Sequence, residues 1–523
     1  MTPLPVASNA GIDLRGWILI AGISMAALAE AVASTAISTG RIDLIGDIHA
    51  TPDEFLWLDV GYTAAKFTGF AISAWLINVL SGTVVLRFAT GVLAIGCGLA
   101  ALTQDAGFLT ALRLLQGLAG GVLLVCGQTA LFQLFDRQRQ PLIQSLFATG
   151  AVVAPACFVP LMSGWIVDNW SWNWIFLTGF ASGLVGLALA VAGGELNRME
   201  APDRGFDWPG LVLLAAAVTA LTYVLNQGSR WNWFDETRII LLAAFGTAAL
   251  VVFVISLFGT HKDKLIDLSV FRDQDFAFAF AVSFVAGFAL TGSAYVIPSF
   301  AVSLLGMTAT EAGWLLLPSG FLFIATLLLV ALLIRVGRLP PIATVPFGIL
   351  TFMAAMWMLS QSNAESGAAD MNLAILLRGA GLGMLFLSLT LIALSGLPRA
   401  FLVYGVALFN IGRLAGGQIG IGSLQTLIDR ETAQNLAVLG ANLNNGHPAV
   451  ISRLAQINGL LAAKGVEPGG IPKAAMSMLG RQLSNQAAVI SFETAFFTIA
   501  LLFVVAAPIL IAYKIILGKI GGH

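Results

Sequence analysis

Charge is what this chain has least of. Asp, Glu, Lys and Arg make up only 10% of its 523 residues, against 58% apolar residues and a mean hydropathy of +0.90, where a soluble domain carries about 25% charge. A soluble globular fold is excluded, and an all-α integral membrane protein is expected. The net charge of -1 leaves no clustered basic surface for a phosphate backbone, so no nucleic-acid partner is expected. Cysteine is nearly absent too. Cys97, Cys126 and Cys157 all fall in apolar runs and read as packing residues, with no disulfide framework or metal cluster. The four histidines, His49, His261, His447 and His523, lie in loops or at the terminus without an HExxH spacing. There is no GxSxG turn, and GLAGG at Gly117 sits inside an apolar run rather than between a strand and a helix. No enzyme, cofactor, metal or built-in ATPase is therefore expected. The N-terminal residues lack a cleavable signal pattern, because the first apolar run is long enough to remain as a span.

Long apolar runs are present in number. Fourteen of about 20 residues each can cross roughly 30 Å of hydrocarbon as helices. The thirteenth is expected over about residues 401 to 427 and the fourteenth over about 491 to 515. Basic residues fall mostly in alternate connections, at Arg15, Arg87, Arg137, Arg139, Arg198, Arg204, Lys262, Lys264, Arg272, Arg335, Arg338, Arg399, Lys514 and Lys519. The other connections hold only Arg41, Arg230 and Arg238. By the positive-inside rule both termini are cytoplasmic, and the turns Trp170 to Trp174 and Trp231 to Trp233 belong at the outer interface. A multi-pass protein of the cytoplasmic (inner) membrane follows, in contact with membrane lipids and expected as a monomer.

An internal echo divides the chain. Span 4 reads LRLLQGLAGG from Leu112 and span 12 reads LRGAGLGM from Leu377, each with an arginine ahead of glycines. They correspond if spans 1 to 6 and 9 to 14 are repeats with spans 7 and 8 inserted, as in many secondary transporters. The expected units are an N-terminal six-helix bundle over 14–195, an inserted helix pair over 205–260 and a C-terminal six-helix bundle over 273–518. The last includes an outer loop at 429–490, in which Val450, Leu454, Ile457 and Leu461 have helical spacing behind Pro448. That loop is a structural cap, or a surface for a periplasmic adaptor.

Intramembrane charges are costly, so they mark function or fixed pairing. Glu30 in span 1 has Ser34 and Ser38 on its face, and Asp59, Thr63 and Lys66 share a face of span 2. Counting about 1.5 Å per residue, Asp59 sits roughly 5 Å, Arg113 roughly 8 Å, Glu30 roughly 12 Å and Lys66 roughly 15 Å below the outer ends of their spans. Glu30, Asp59, Lys66 and Arg113 are thus candidates for one proton-coupling network, in which desolvation and nearby cations oppose each other on a carboxylate. The alternative is a static ion-pair cluster. In the C-terminal half Arg378 and Arg413, with Asn410 and Gln418, suit either an anionic substrate group or bonding to helix carbonyls. Phe67, Phe70, Tyr295, Trp314 and Phe409 are the aromatic candidates for a substrate cavity, with Ser34, Thr63 and Gln116 as polar ones. Gly150, Pro155, Pro160 and Gly164 in span 5 allow close approach or bending, and are the gating candidates.

With these residues in view, the chain resembles a major facilitator superfamily transporter of the fourteen-span drug:proton antiporter type. Arg113, Gln116 and Gly117 match the family's span 4 motif, and Pro155 through Pro160, Gly164 and Trp165 resemble its span 5 antiporter motif. Ser171, Trp172, Trp174, Ile175 and Phe176 match the signature opening span 6, and similarity continues through PGLVLL at Pro209, LIDLSVFRDQDF at Leu265 and FNIGRLAGGQIG at Phe409. The departures are Asn78 where the loop after span 2 has an acid, Val159 and Ser163 where span 5 has glycines, and Asn173 in place of an arginine. The resemblance implies a major facilitator fold with fourteen transmembrane helices, two six-helix bundles plus an inserted pair. It implies alternating-access export of an amphipathic organic compound in exchange for protons. Two alternatives stand beside that reading: a specific metabolite, lipid or organic-anion carrier with weak coupling, and a non-transporting membrane subunit.

Overall fold

The structure is a computed structural model that describes residues 12–39, 41–195, 199, 205–259, 263–337, 339–441, 448–465 and 467–520. His261, His447 and His523, and the basic residues Arg198, Arg204, Lys262 and Arg338, lie outside the described residues. Among the described residues there are fourteen helices long and apolar enough to cross a membrane. In the first half they are α1 (Leu14–Thr39), α2 (Pro52–Leu80), α3 (Gly82–Ala100), α4 (Ala106–Leu134), α5 (Arg137–Asn169), α6 (Asn173–Ala192) and α7 (Trp208–Gln227). In the second they are α8 (Thr237–Phe258), α9 (Gln274–Ser303), α10 (Ala309–Arg335), α11 (Pro341–Leu359), α12 (Ala368–Leu394), α13 (Arg399–Ala441) and α14 (Ile471–Ile520).

The helix starts are set locally. Thr51 and Glu54 form a reciprocal capping box at α2, as do Thr308 and Glu311 at α10. Asp105, Asp207 and Asp273 accept from backbone N–H groups at the starts of α4, α7 and α9. Helix α5 does not break at its prolines. It widens into π-type turns over Thr149–Phe158, with Pro155 inside them.

Helices α1 to α6 form one bundle and α9 to α14 another, while α7 and α8 pack on each other beside α2 and α13. The pairing repeats: α2 and α3 lie on α4 as α10 and α11 lie on α12. The halves meet mainly where α5 crosses α10 and where α2 crosses α13. Lipid tails are as apolar as leucine, so close packing rather than water release holds such bundles together. Glycine supplies it here. A Cβ on Gly117 would collide with the Tyr62 carbonyl of α2, and one on Gly379 with the Ser319 carbonyl of α10. The motif echo between spans 4 and 12 thus corresponds to the same backbone-to-backbone contact in each half.

Two expectations are corrected. The segment 429–490 is not a separate loop, because α13 continues to Ala441 and α14 begins at Ile471. A third helix, Pro448–Ala463, lies against the projecting start of α14. Its predicted face is the packed one, with Val450 and Ile457 buried on Ala475 and Leu479, and Leu454 and Leu461 half-buried beside them. Trp172 is not an interfacial ring. It is 3% exposed, and its Nε1 donates to Asp47 at 2.8 Å. Of the gating candidates, Gly150 backs onto the Ser24 carbonyl of α1, and Gly164 backs onto Ala309 at the start of α10, across the seam between the halves.

Gly379→Ala should therefore overpack the α10–α12 contact and cost about 1–3 kcal/mol, read as a lower thermal midpoint in detergent. Gly46→Ala, whose added Cβ would meet nothing within 4 Å, should leave that midpoint unchanged or raise it.

Candidate functional site

The site forms where α1, α2 and α4 converge. Gly117, Gly120 and Gly121 of α4 clear the space for it. A Cβ on Gly121 would strike the Lys66 carbonyl, and one on Gly120 would come within 2.8 Å of Glu30 Cγ. The α2 backbone is therefore pressed on α4 with Tyr62 and Lys66, one turn apart, turned toward α1.

Glu30 is 1% exposed. Its Oε1 accepts from Lys66 Nζ at 2.5 Å and from Tyr62 Oη at 2.7 Å. The Arg113 guanidinium lies 4.0 Å from the Tyr62 ring centroid, a cation–π stack in a dry setting. Its Nη1 donates to the Ala33 carbonyl at 2.6 Å and to Gln116 Oε1 at 3.0 Å, and its Nε donates to the Leu58 carbonyl at 3.2 Å. Arg113 thus clamps the backbones of α1 and α2 to α4, and it lies in electrostatic range of Glu30 with the Tyr62 ring stacked beneath it. The structure brings together Glu30, Lys66 and Arg113 of the four network candidates, and Gln116, a substrate candidate, bonds to Arg113 beside them. Asp59 is half-buried one turn before Tyr62, in electrostatic range of Arg113 and Arg41, and makes no ion pair with the cluster. Of the polar neighbours, Ser34 is half-buried and donates to its own helix at Ala31, and Thr63 is buried.

Tyr62 is the residue that sequence reasoning missed. The signal was available: a tyrosine inside an apolar span, four residues before Lys66 and three after Asp59, lies on their helical face.

The second half repeats the clamp without a carboxylate. Arg378 is fully buried, with Nε donating to Ser293 Oγ at 2.8 Å and Nη1 to Ser319 Oγ at 3.1 Å. Nη1 also reaches Cys157 Sγ across the seam at 3.9 Å, so Cys157 does more than pack. Nearer the predicted inner end a one-way chain of donors links the halves. Arg413 Nη2 donates to Asn410 Oδ1 at 2.6 Å, and Asn410 Nδ2 to Gln128 Oε1 at 3.0 Å. Gln128 Nε2 then donates to Gln144 Oε1 at 3.4 Å, and Gln144 Nε2 to Gln140 Oε1 at 3.2 Å. Asn410 is therefore occupied by protein rather than open to a substrate. At the predicted outer end Asp168 of α5 accepts from the Thr310 N–H at 2.8 Å and its hydroxyl at 2.5 Å, capping α10 across the seam.

Several substrate candidates fall elsewhere. Trp314 is 58% exposed on the outside of the bundle, in an apolar groove of about 290 Å³ with Phe158, Leu161, Met162 and Trp165. The buried face of α10 carries Ala312, Gly313, Leu315, Leu316, Ser319 and Gly320, which turns position 314 outward. Phe70 and Phe409 are packed into the main apolar core, and Phe67 is buried. Tyr295, Arg413 and Gln418 are half-buried.

A membrane bundle built of two repeated halves, with a carboxylate and two cations buried in one of them, is the architecture of a secondary transporter. The chain belongs to the Major Facilitator Superfamily, whose family model matches residues 19–421. It is similar to the Colistin resistance protein EmrB of Acinetobacter baumannii, with 26% identity over 465 residues that cover 86% of this chain and 90% of the relative. It is also similar to the Multidrug export protein EmrB of Escherichia coli, with 24% identity over 493 residues covering 93% of each. The Fatty acid resistance protein FarB of Neisseria gonorrhoeae matches at 23% identity over 494 residues, 94% of this chain and 95% of its own length.

Arg113→Lys keeps the charge but not the fork that reaches Ala33 and Leu58 together. Losing one or both of these charge-assisted bonds should cost about 1.5–3 kcal/mol each. Thermal unfolding in detergent should therefore rank wild type above Arg113→Lys, and Arg113→Lys above Arg113→Ala.

Proposed function

We propose that this protein exports amphipathic organic compounds, cationic ones foremost, in exchange for protons by alternating access. The single observation that carries the reading is Glu30, a fully buried carboxylate whose one oxygen serves both Lys66 and Tyr62. Protonation of Glu30 would release Lys66. A cationic substrate competes for the same carboxylate, so proton and substrate exclude each other, as exchange requires. The names of the relatives, which include multidrug export proteins, support export as the direction.

In this reading the protein lies in the cytoplasmic membrane with both termini inside, in line with the bias of its basic residues. The unit boundaries are 14–195, 205–260 and 273–518. The substrate would pass between the halves, along Ser34, Thr63 and Gln116 on one side and Tyr295, Arg413 and Gln418 on the other. Gly164 and Asp168 of α5 against the start of α10, and the Gln128–Asn410 link, would act as the opposing gates. The hairpin of α13, Pro448–Ala463 and the start of α14 would meet a periplasmic adaptor, offering Val438, Ile451, Leu460 and Met476 as exposed apolar contacts.

One observation favours a second reading, an organic-anion or fatty-acid carrier. Among the described residues Arg413 has no carboxylate in ion-pair distance; its guanidinium is held by Asn410 and lies 5.8 Å from the Phe386 ring centroid.

In reconstituted vesicles an imposed pH gradient should drive uptake of a fluorescent lipophilic cation, and Glu30→Gln should abolish the gradient-driven part. Proton flux unchanged by Glu30→Gln would refute coupling at this residue. A gradient-independent flux of fatty acid lost in Arg413→Gln would favour the second reading. Removing residues 448–463 with export across an outer membrane intact would dispose of the adaptor.

A further inference from the structure

Tyr62 does two things at once that no neighbour does. Its hydroxyl donates to Glu30 Oε1 at 2.7 Å, and its ring carries the Arg113 guanidinium at 4.0 Å. The side chain is fully enclosed, at 2% exposure. Its backbone is packed directly on Gly117. Arg113 is fixed in turn by the Ala33 and Leu58 carbonyls of α1 and α2.

We propose that Tyr62 is the positioning residue of the exchange site, holding the Glu30 carboxylate in register with Lys66 and carrying the influence of Arg113 to it. The proposal rests on reading Glu30 as the group that exchanges the proton. A cation on a phenol ring makes its O–H a stronger donor, and a hydrogen bond from that O–H favours the ionised carboxylate. Arg113 therefore acts on Glu30 without touching it. The ionised carboxylate takes both donors on one oxygen. Once protonated it has no charge to hold Lys66, while the tyrosine bond persists and keeps the carboxyl from rotating away. Tyr62 thus confines each proton transfer to one geometry.

The groups that face Glu30 are few. Tyr62 and Lys66 come from α2, Arg113 from α4 and Cys97 from α3. Arg413 of α13 is in electrostatic range from the other half. Asp59 faces Arg113 rather than Glu30. Of these, Tyr62 and Lys66 alone donate a hydrogen bond to the carboxylate among the described residues.

The test reads the carboxyl directly. The infrared C=O band of protonated Glu30, identified by its loss in Glu30→Gln, is titrated in the purified full-length protein. Tyr62→Phe keeps the ring under Arg113 and removes only the donor, and should move the midpoint of that band upward by about one pH unit. Replacing Tyr62 with 3-fluorotyrosine makes the phenol more acidic at nearly constant shape, and should move it downward. The fluorinated protein decides the question alone if Tyr62→Phe does not assemble. Midpoints unchanged in both overturn the proposal, since a merely structural tyrosine would leave them where they were. A shift in the band together with export unaffected by Glu30→Gln would sustain the positioning role while rejecting Glu30 as the exchanging group.

Discussion

A guanidinium inside a helical bundle must have its donors answered by the protein, because the surrounding hydrocarbon has nothing to offer. Arg113 answers Nε and Nη1 by bonding to carbonyls of two other helices and to Gln116, and it stacks on Tyr62, while its buried Nη2 has no hydrogen-bond partner among the described residues. Everything else at the site follows from where that places the tyrosine. Its hydroxyl is brought to Glu30, Lys66 is brought to the same oxygen, and the glycines of α4 are required because larger residues would occupy the space.

The two halves answer the constraint differently. Arg378 stands in α12 as Arg113 stands in α4, but it is met by the hydroxyls of Ser293 and Ser319, which do not titrate in the physiological range. Arg113 shares its surroundings with a carboxylate and an amine. The second clamp has, beside those hydroxyls, only the Cys157 thiol among the described residues that bond to it. Meanwhile the seam is tied at both ends, by Asp168 to Thr310 at one and Gln128 to Asn410 at the other. The first tie is two hydrogen bonds to one carboxylate oxygen and the second is one between amides.

The fold was legible from hydropathy, because a span must be long and apolar in any membrane bundle. Span count and the echo between spans 4 and 12 agree with the structure for that reason. The charged part of the site was legible because ionisable residues are rare in such runs. What escaped was carried by residues that composition does not mark. Tyr62 carries no charge to mark it and owes its role to contacts from two other helices. Trp314 was misplaced because an aromatic residue near small neighbours is equally suited to lipid, and only the helical phase of α10 decides. The segment 429–490 looked like a loop because the extensions of α13 and α14 are too polar to read as spans, yet they remain helical, in contact with each other beyond the apolar segments.

The central claim is that proton and substrate compete for one carboxylate. Proton release can be measured directly by adding a lipophilic organic cation to purified protein in weakly buffered detergent solution. Competition predicts that binding expels up to one proton per molecule at a pH where Glu30 is protonated, and none in Glu30→Gln. Binding that releases no proton at any pH, or releases as many from Glu30→Gln, would contradict it.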